Sequence, residues 1–171
     1  MGRYVIADPV GRGASGEVYA AVDERIGRRV AVRVGTTGDL RVHQQARVTG
    51  QVAHPNVVSI LDLGDDQGRP FAAMELLEGG PLDSGGAVML RTIDPRLHAM
   101  EQILSGLQAA HDRGIIHGHL KPAHVFVTKP GAVILPDFGA GVGRPDPYTS
   151  PEQIRGEAAT ETASASASTA E

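Results

Sequence analysis

The sequence contains no cysteine, which excludes disulfides and thiolate metal sites and agrees with a reducing compartment. It has no apolar run long enough to span a bilayer. Its first residues, Met1-Gly2-Arg3-Tyr4, lack the basic-then-apolar layout of a signal peptide. The net charge is small, −4, and no long basic block occurs, so neither nucleic acid nor an anionic membrane surface is the expected partner. Internal repeats are missing too. What is present is an ordinary hydrophobic fraction, 41% of 171 residues, enough for the core of about one domain. A soluble cytoplasmic protein is the expectation.

Residues 3 to about 78 read as mostly strand. Tyr4, Val5 and Ile6 lead into Gly11-Arg12-Gly13-Ala14-Ser15-Gly16. Val18, Ala20 and Val22 then alternate with other residues. Beyond a polar turn at Gly27, Val30, Val32 and Val34 alternate again, the signature of a hairpin. Asp39 reads as the N-cap of a short helix to about Gln51, with Gly50 weakening its end. Two more strands are predicted over 57–63 and 70–77, joined by the turn 64–68, before Gly79 and Gly80 break the pattern. The chain then turns helical. Asp94 caps, Pro95 takes the first helical position, Leu97, Met100, Leu104 and Leu107 repeat at helical spacing, and Gly114 ends the run. His43, His98 and His111 fall on these helices and read as surface residues. Short strands over 125–128 and 132–135 flank a Lys129-Pro130-Gly131 turn. From about Ala158 the chain is Ala, Ser, Thr and Glu with no apolar face, a disordered tail by composition.

Gly11, Gly13 and Gly16 match G-x-G-x-x-G, a weak motif on its own. A dinucleotide-binding turn needs a helix after the third glycine and an acidic residue about 20 positions on. Here a β-branched alternating strand follows, and Arg33 stands near that distance. A P-loop needs a Lys-Ser or Lys-Thr pair, which is absent. A glycine-rich hairpin turn without a ligand stays open. So does the order strand, glycine loop, Val18, second strand that covers nucleotide phosphates in kinases.

Further segments follow in a fixed order: Val30-Ala31-Val32-Arg33, His54-Pro55-Asn56-Val57-Val58, Met74-Glu75-Leu76-Leu77-Glu78-Gly79-Gly80, His117-Gly118-His119-Leu120-Lys121-Pro122-Ala123-His124, Asp137-Phe138-Gly139 and Ser150-Pro151-Glu152. With the opening from Gly2 to Asp23 they resemble bacterial Ser/Thr protein kinases over residues 2 to 154. The resemblance implies an α+β, protein-kinase-like fold. Residues 1–78 would form a five-stranded antiparallel N-lobe with one helix. Residues 79–157 would form an incomplete, mainly helical C-lobe with hinge, catalytic-loop and activation-segment equivalents, and 158–171 the tail.

The resemblance also assigns roles. Gly11, Gly13 and Gly16 would let backbone N–H groups approach phosphates. Val18 and Ala31 would cover one face of adenine and Phe126 the other. Met74 would be the gatekeeper, Glu75 and Leu77 would bond the base edge through their backbone, and Asp137 would be an oxygen ligand for a cation. The groups for phosphoryl transfer are replaced. Arg33 stands for the phosphate-clamping lysine, and a planar fork does not substitute for a compact ammonium. Gln45 stands for the αC glutamate, so the ion pair of the active state cannot form. His119 stands for the catalytic aspartate, and His124 for the asparagine that holds the second magnesium, a nitrogen where a hard cation wants oxygen. Gly118 replaces the arginine before the base. Lys121 survives, and His117 reads as a buried spacer. Loss of a general base costs roughly 10²–10⁴ in rate. Loss of one stabilising donor costs on the order of 10²–10³ more.

The expected function is therefore a pseudokinase that binds ATP weakly, with magnesium disfavoured. The alternatives are a residual ATP-dependent Ser/Thr kinase with His119 as base and Arg33 on the phosphates, or a non-functional fragment. Only ten residues separate Gly139 from Ser150, and the helices that complete the family's C-lobe do not follow. The helix over 95–113 would then keep part of its apolar stripe exposed, inviting a protein partner. If His119, His124 and Asp137 converge, two imidazoles and a carboxylate would suit a transition metal better than magnesium.

Overall fold

The computed structural model describes residues 2–13, 15–84, 86, 93–139 and 146–157, with only the backbone of Ile93. Ala14 of the glycine loop and the tail over 158–171 lie outside the described residues. The chain divides into two units, residues 1–50 with 59–77 and residues 51–58 with 78–171.

The first unit is one antiparallel sheet and one helix. Its strands are β1 (Tyr4–Gly13), β2 (Gly16–Asp23), β3 (Arg28–Val34), β4 (Ile60–Asp66) and β5 (Arg69–Glu75), in the order β1-β2-β3-β5-β4. The expected five strands and single helix are all present. The period-two pattern explains why β3 sits at the centre. Val30, Val32 and Val34 point to one face, where they pack with Tyr4, Ala21, Phe71 and Ala73. On the other face α1 (Arg41–Thr49) lays Val42 and Ala46 on Ala72, flanked by Ile60 and Leu63. Arg3 donates to Asp23 at 3.0 Å and to Asp62 at 2.7 Å, and the Tyr4 hydroxyl reaches Asp62 at 2.8 Å. The start of β1 is thereby tied to β4, at the opposite edge of the sheet.

Three local readings change. The N-cap of α1 is Leu40, without a side-chain cap; Asp39, one residue earlier, accepts the Arg41 N–H at 3.0 Å and the Arg41 guanidinium. The helix therefore starts one residue later than a capping aspartate would place it. β4 begins at Ile60 and not at 57, because Val57 forms a parallel bridge with Leu135 in the second unit. His43 is half-buried and holds α1 to β4 through Nε2 and the Gly64 carbonyl, 2.7 Å apart. Of the other two helical histidines, His98 is exposed as expected, whereas Nε2 of His111 is buried.

The second unit joins β6 (Gly79–Pro81), β7 (Phe126–Thr128) and β8 (Val133–Ile134) in a small sheet, with α2 (Ile93–His111), a 3-10 turn (Pro122–His124) and α3 (Pro151–Ile154). Gly79 and Gly80 leave the first sheet and form a strand of the second, Gly80 opposite Val127. Asn56 connects three segments here. Its Nδ2 donates to Gln102 Oε1 at 3.0 Å and to the Val133 carbonyl at 2.8 Å, while Gln102 Oε1 accepts the Val133 N–H at 2.9 Å. The face of α2 is rotated from the expected one. Ala99, Ile103, Leu107 and Ala110 are buried, whereas Leu97 and Leu104 are 61% and 47% exposed. The stripe turns toward the small residues because the helix must come close to Asn56 and Leu135; a Cβ at Gly106 would lie 3.1 Å from each.

Gly16 has a φ of +150°, and a Cβ there would lie 2.2 Å from the Val34 carbonyl oxygen. Gly27 also has positive φ, +64°, but faces open space. Gly16→Ala is expected to cost about 3 kcal/mol or more in urea unfolding, and Gly27→Ala only about 1 kcal/mol. Equal losses would show that the approach of β2 to β3 at this point is not tight.

Candidate functional site

The residues singled out in the sequence fall into two groups, one in each unit. In the first, β1 and β2 form the glycine hairpin, with Gly11 opposite Val18 and Gly13 opposite Gly16. A Cβ at Gly11 or Gly13 would meet nothing nearer than 4.0 and 3.9 Å. Internal packing thus accounts for Gly16 but not for these two glycines, and their open side suits a ligand's approach to the backbone. On the sheet face that carries α1, Ala31 pairs with Met74, and both are buried. Val18 is half-buried opposite Arg33.

Arg33, which the resemblance aligns with the family's lysine, is buried at 9% exposure and its Nη1 donates to Ser15 Oγ over a long 3.4 Å. Gln45, which the resemblance aligns with the family's glutamate, lies on α1 and has a buried Oε1 that accepts no hydrogen bond. A glutamate there would bring a charge, and Gln45 brings none. At the end of β5 the Glu75 N–H is taken by the Ser59 carbonyl at 3.1 Å, and the Glu75 side chain accepts the Ser59 N–H at 2.7 Å. The Glu75 N–H is thereby committed inside the unit. Leu77 is half-buried.

In the second unit the loop 117–124 is organised by three imidazoles. His117 has no exposure to solvent; Nε2 donates to the Pro136 carbonyl at 3.1 Å, and Nδ1 accepts the His119 N–H at 3.4 Å. Its ring packs against Phe138, centroids 4.8 Å apart. Burial, reinforced by the nearby His124, pushes its pKa down to about 4, so it is neutral. The buried spacer expected at 117 is present. His124 donates from Nδ1 to the His119 carbonyl at 2.7 Å, and burial lowers its pKa as well.

His119 Nε2 lies 2.9 Å from Asp146 Oδ2, and Lys121 Nζ lies 2.9 Å from the same oxygen. Burial by itself would raise the Asp146 pKa. The hydrogen bonds from Lys121, His119 and the Tyr148 N–H outweigh it and hold the carboxyl well below the usual carboxylate range. Sequence reading missed Asp146; the only signal was an acidic residue four positions before Ser150-Pro151-Glu152. Gln153 ties the same segment down again, donating to the Gly118 carbonyl at 2.6 Å.

Asp137 adopts a left-handed backbone with φ of +65°, rare for a residue other than glycine. Phe126 is half-buried in β7. The expected convergence of His119, His124 and Asp137 on one ion is not found. His119 is turned to Asp146, and among the described residues no group of three His, Asp or Glu side chains is arranged to hold a metal. Magnesium also fits poorly on chemical grounds, since a hard cation prefers oxygen and position 124 offers an imidazole.

The His117 pKa sets an acid limit. The unfolded imidazole titrates near 6.5 and the folded one near 4, so between these values the unfolded chain binds the extra proton. Stability is therefore retained above pH 6.5 and falls, by about 3 kcal/mol from this group, as pH drops toward 4. Urea midpoints measured across this range are expected to show that slope in the wild type and a much flatter one in His117→Gln. Parallel slopes would mean that the ring is not buried as a neutral group.

The comparisons agree with this architecture. A family profile described as "Protein kinase domain" matches residues 4–163. The chain is 36% identical over 154 residues to the serine/threonine-protein kinase PknA of Mycobacterium tuberculosis, covering 81% of this chain and 35% of the relative. It is also 36% identical over 174 residues to the serine/threonine-protein kinase pkn2 of Myxococcus xanthus, covering 90% of this chain and 20% of the relative. The chain thus spans only about a fifth to a third of these relatives' length. The crystal structure of the Mycobacterium tuberculosis PknI kinase domain superimposes with a TM-score of 0.77 at 24% identity, over 97% of this chain and 71% of that one, and shows the shared fold. On the profile, the relatives and the fold together, the chain belongs to the protein kinase family.

Proposed function

We propose that this protein is a pseudokinase: a kinase-fold module that takes up nucleotide weakly, transfers phosphate poorly or not at all, and acts through binding. The observation that carries this reading is at position 119. Phosphoryl transfer needs a group there that accepts the substrate hydroxyl's proton. The imidazole instead faces a carboxylate with Nε2, and Lys121, the other functional group of the loop, is paired with the same oxygen.

Support for nucleotide uptake comes from the first unit. Gly11 and Gly13 leave the hairpin backbone open, and Val18, Ala31 and Met74 are apolar where the family places adenine. Gly16, Arg33, Glu75 and Leu77 hold the remaining positions that the family assigns to phosphates and base edge. In the second unit Phe126 and Asp137 keep the residue types the family uses. ATP would supply the transferable phosphate when bound. The replacements at 33, 45, 119 and 124 leave little to drive its transfer. A protein partner is supported by Leu97 and Leu104, two exposed leucines seven residues apart on one face of α2. Among the described residues no helix is long and apolar enough to cross a membrane, and a cytoplasmic location is part of the proposal.

Thermal unfolding of the purified chain with ATP, with and without Mg²⁺, tests the binding half. At ten times Kd, ATP is expected to add about 1.4 kcal/mol and raise Tm by about 3–6 °C, with little change on adding Mg²⁺. No shift at saturating solubility would reduce the protein to a scaffold without nucleotide. Radiolabel transfer is expected to be slower than that of an active kinase by roughly 10⁴ or more. Fast transfer that vanishes in His119→Ala would instead establish a residual Ser/Thr kinase.

A further inference from the structure

The turn between β2 and β3 is shaped by Asp23 and Gly27. The Asp23 carbonyl accepts the N–H of Ile26 at 3.3 Å and of Gly27 at 2.8 Å. Asp23 Oδ1 accepts the Arg25 N–H at 3.1 Å, and Gly27 supplies a φ of +64°. These bonds use no side chain of Arg25, Ile26 or Arg28. Yet the tip carries three arginines, at 25, 28 and 29, against one acid, Glu24, and all of residues 24–29 are exposed. The Asp23 carboxylate does not offset them outward: it is buried and taken by the Arg3 guanidinium at 3.0 Å. Ile26, at 65%, is the most exposed large apolar side chain among the described residues. Behind it Val5, Val22 and Arg29 stand opposite one another on β1, β2 and β3, on one face of the sheet, and all three are exposed.

Packing explains neither the isoleucine nor the charges. A single exposed aliphatic is ordinary. An aliphatic flanked by arginines at a protruding tip calls for a partner that is apolar and anionic at neighbouring depths. The interface of an anionic bilayer has both, acyl chains for Ile26 and charged headgroups for the guanidinium groups. We propose that the β2–β3 hairpin tip, with Arg25, Ile26, Arg28 and Arg29, docks on anionic lipid membranes, Val5 and Val22 forming its apolar shoulder. An acidic peptide fits less well. Both strands are interior to the sheet, so the hairpin has no free edge for an added strand, and a fully exposed tip has no groove. Single-stranded nucleic acid wants aromatic faces for stacking; none occurs over 22–29, and Tyr4 is buried. The net charge of −4 conceals the patch, because it sums over all faces while membrane attraction acts only within about 10 Å. One inserted side chain and three charges give reversible binding, not a permanent anchor.

The site lies wholly in the first unit and is independent of nucleotide uptake and phosphate transfer. The test sediments the whole chain with phosphatidylcholine vesicles that contain or lack phosphatidylserine. Partition onto the anionic vesicles alone is expected, weakening as salt rises. Arg25→Gln combined with Arg28→Gln is expected to lower it on the order of twentyfold, about fivefold for each arginine. Ile26→Ser is expected to lower it about tenfold without changing its salt dependence. The sequence has no tryptophan, so Ile26→Trp places a single reporter at the tip, and its emission is expected to shift to the blue on the anionic vesicles only. All these changes are at exposed positions, and Asp23 and Gly27, which shape the turn, are kept. No partition onto the anionic vesicles would overturn the proposal, including the case where a single-stranded oligonucleotide or a polyglutamate peptide binds instead. Partition that both sets of substitutions leave unchanged would overturn it too. So would an Ile26→Trp emission that stays constant while the chain sediments, since the contact would then lie on another face.

Discussion

His117 is closed off from water, and a charged imidazole in that place would lose its hydration with nothing to replace it. It is therefore neutral, and each nitrogen is committed to a single partner. Nε2 holds Pro136, just before Asp137, and Nδ1 holds the backbone of His119. Because both partners are backbone atoms, the ring fixes the path of two chain segments at once. Phe138 closes over it, and His124 returns a hydrogen bond to the His119 carbonyl. The loop's functional side chains take their directions from this frame.

If residue 119 holds the place that the resemblance gives it, the charge pattern of the loop is reversed from the family's. The family presents a carboxylate at position 119 and a lysine two residues on. Here the loop presents two donors, and the carboxylate comes from Asp146, 27 residues downstream of His119. The substitutions at 33 and 45 point the same way in the first unit. A guanidinium bonded to Ser15 and a neutral amide with a buried, unbonded oxygen stand where the resemblance implies a lysine and a glutamate that pair. Under the proposed pseudokinase reading each change would remove a different contribution to transfer.

The first unit is largely legible in the sequence because its strands carry their own instructions. Val30, Val32 and Val34 alternate and are β-branched, so they define both the strand and its buried face. Local pattern misleads where a distant segment decides. Val57 continues the apolar run that ends in Ile60, yet it pairs with Leu135. Leu97 and Leu104 have the spacing and size of core residues, but α2 turns its small side chains inward to approach Asn56 and Leu135. His43 sits on a helix that reads as solvated and is held by a carbonyl from β4.

The sequence by itself determined the family and the five-stranded sheet with its helix, because each is written in contiguous motifs or short-range periodicity. Only the tertiary structure decided which groups these residues meet. Asp146 belongs to no motif and acquires meaning when folding brings its carboxylate to Lys121 and His119. Likewise, which imidazole nitrogen carries a proton is settled by the partner opposite it, and partners at long sequence separation are invisible to local pattern.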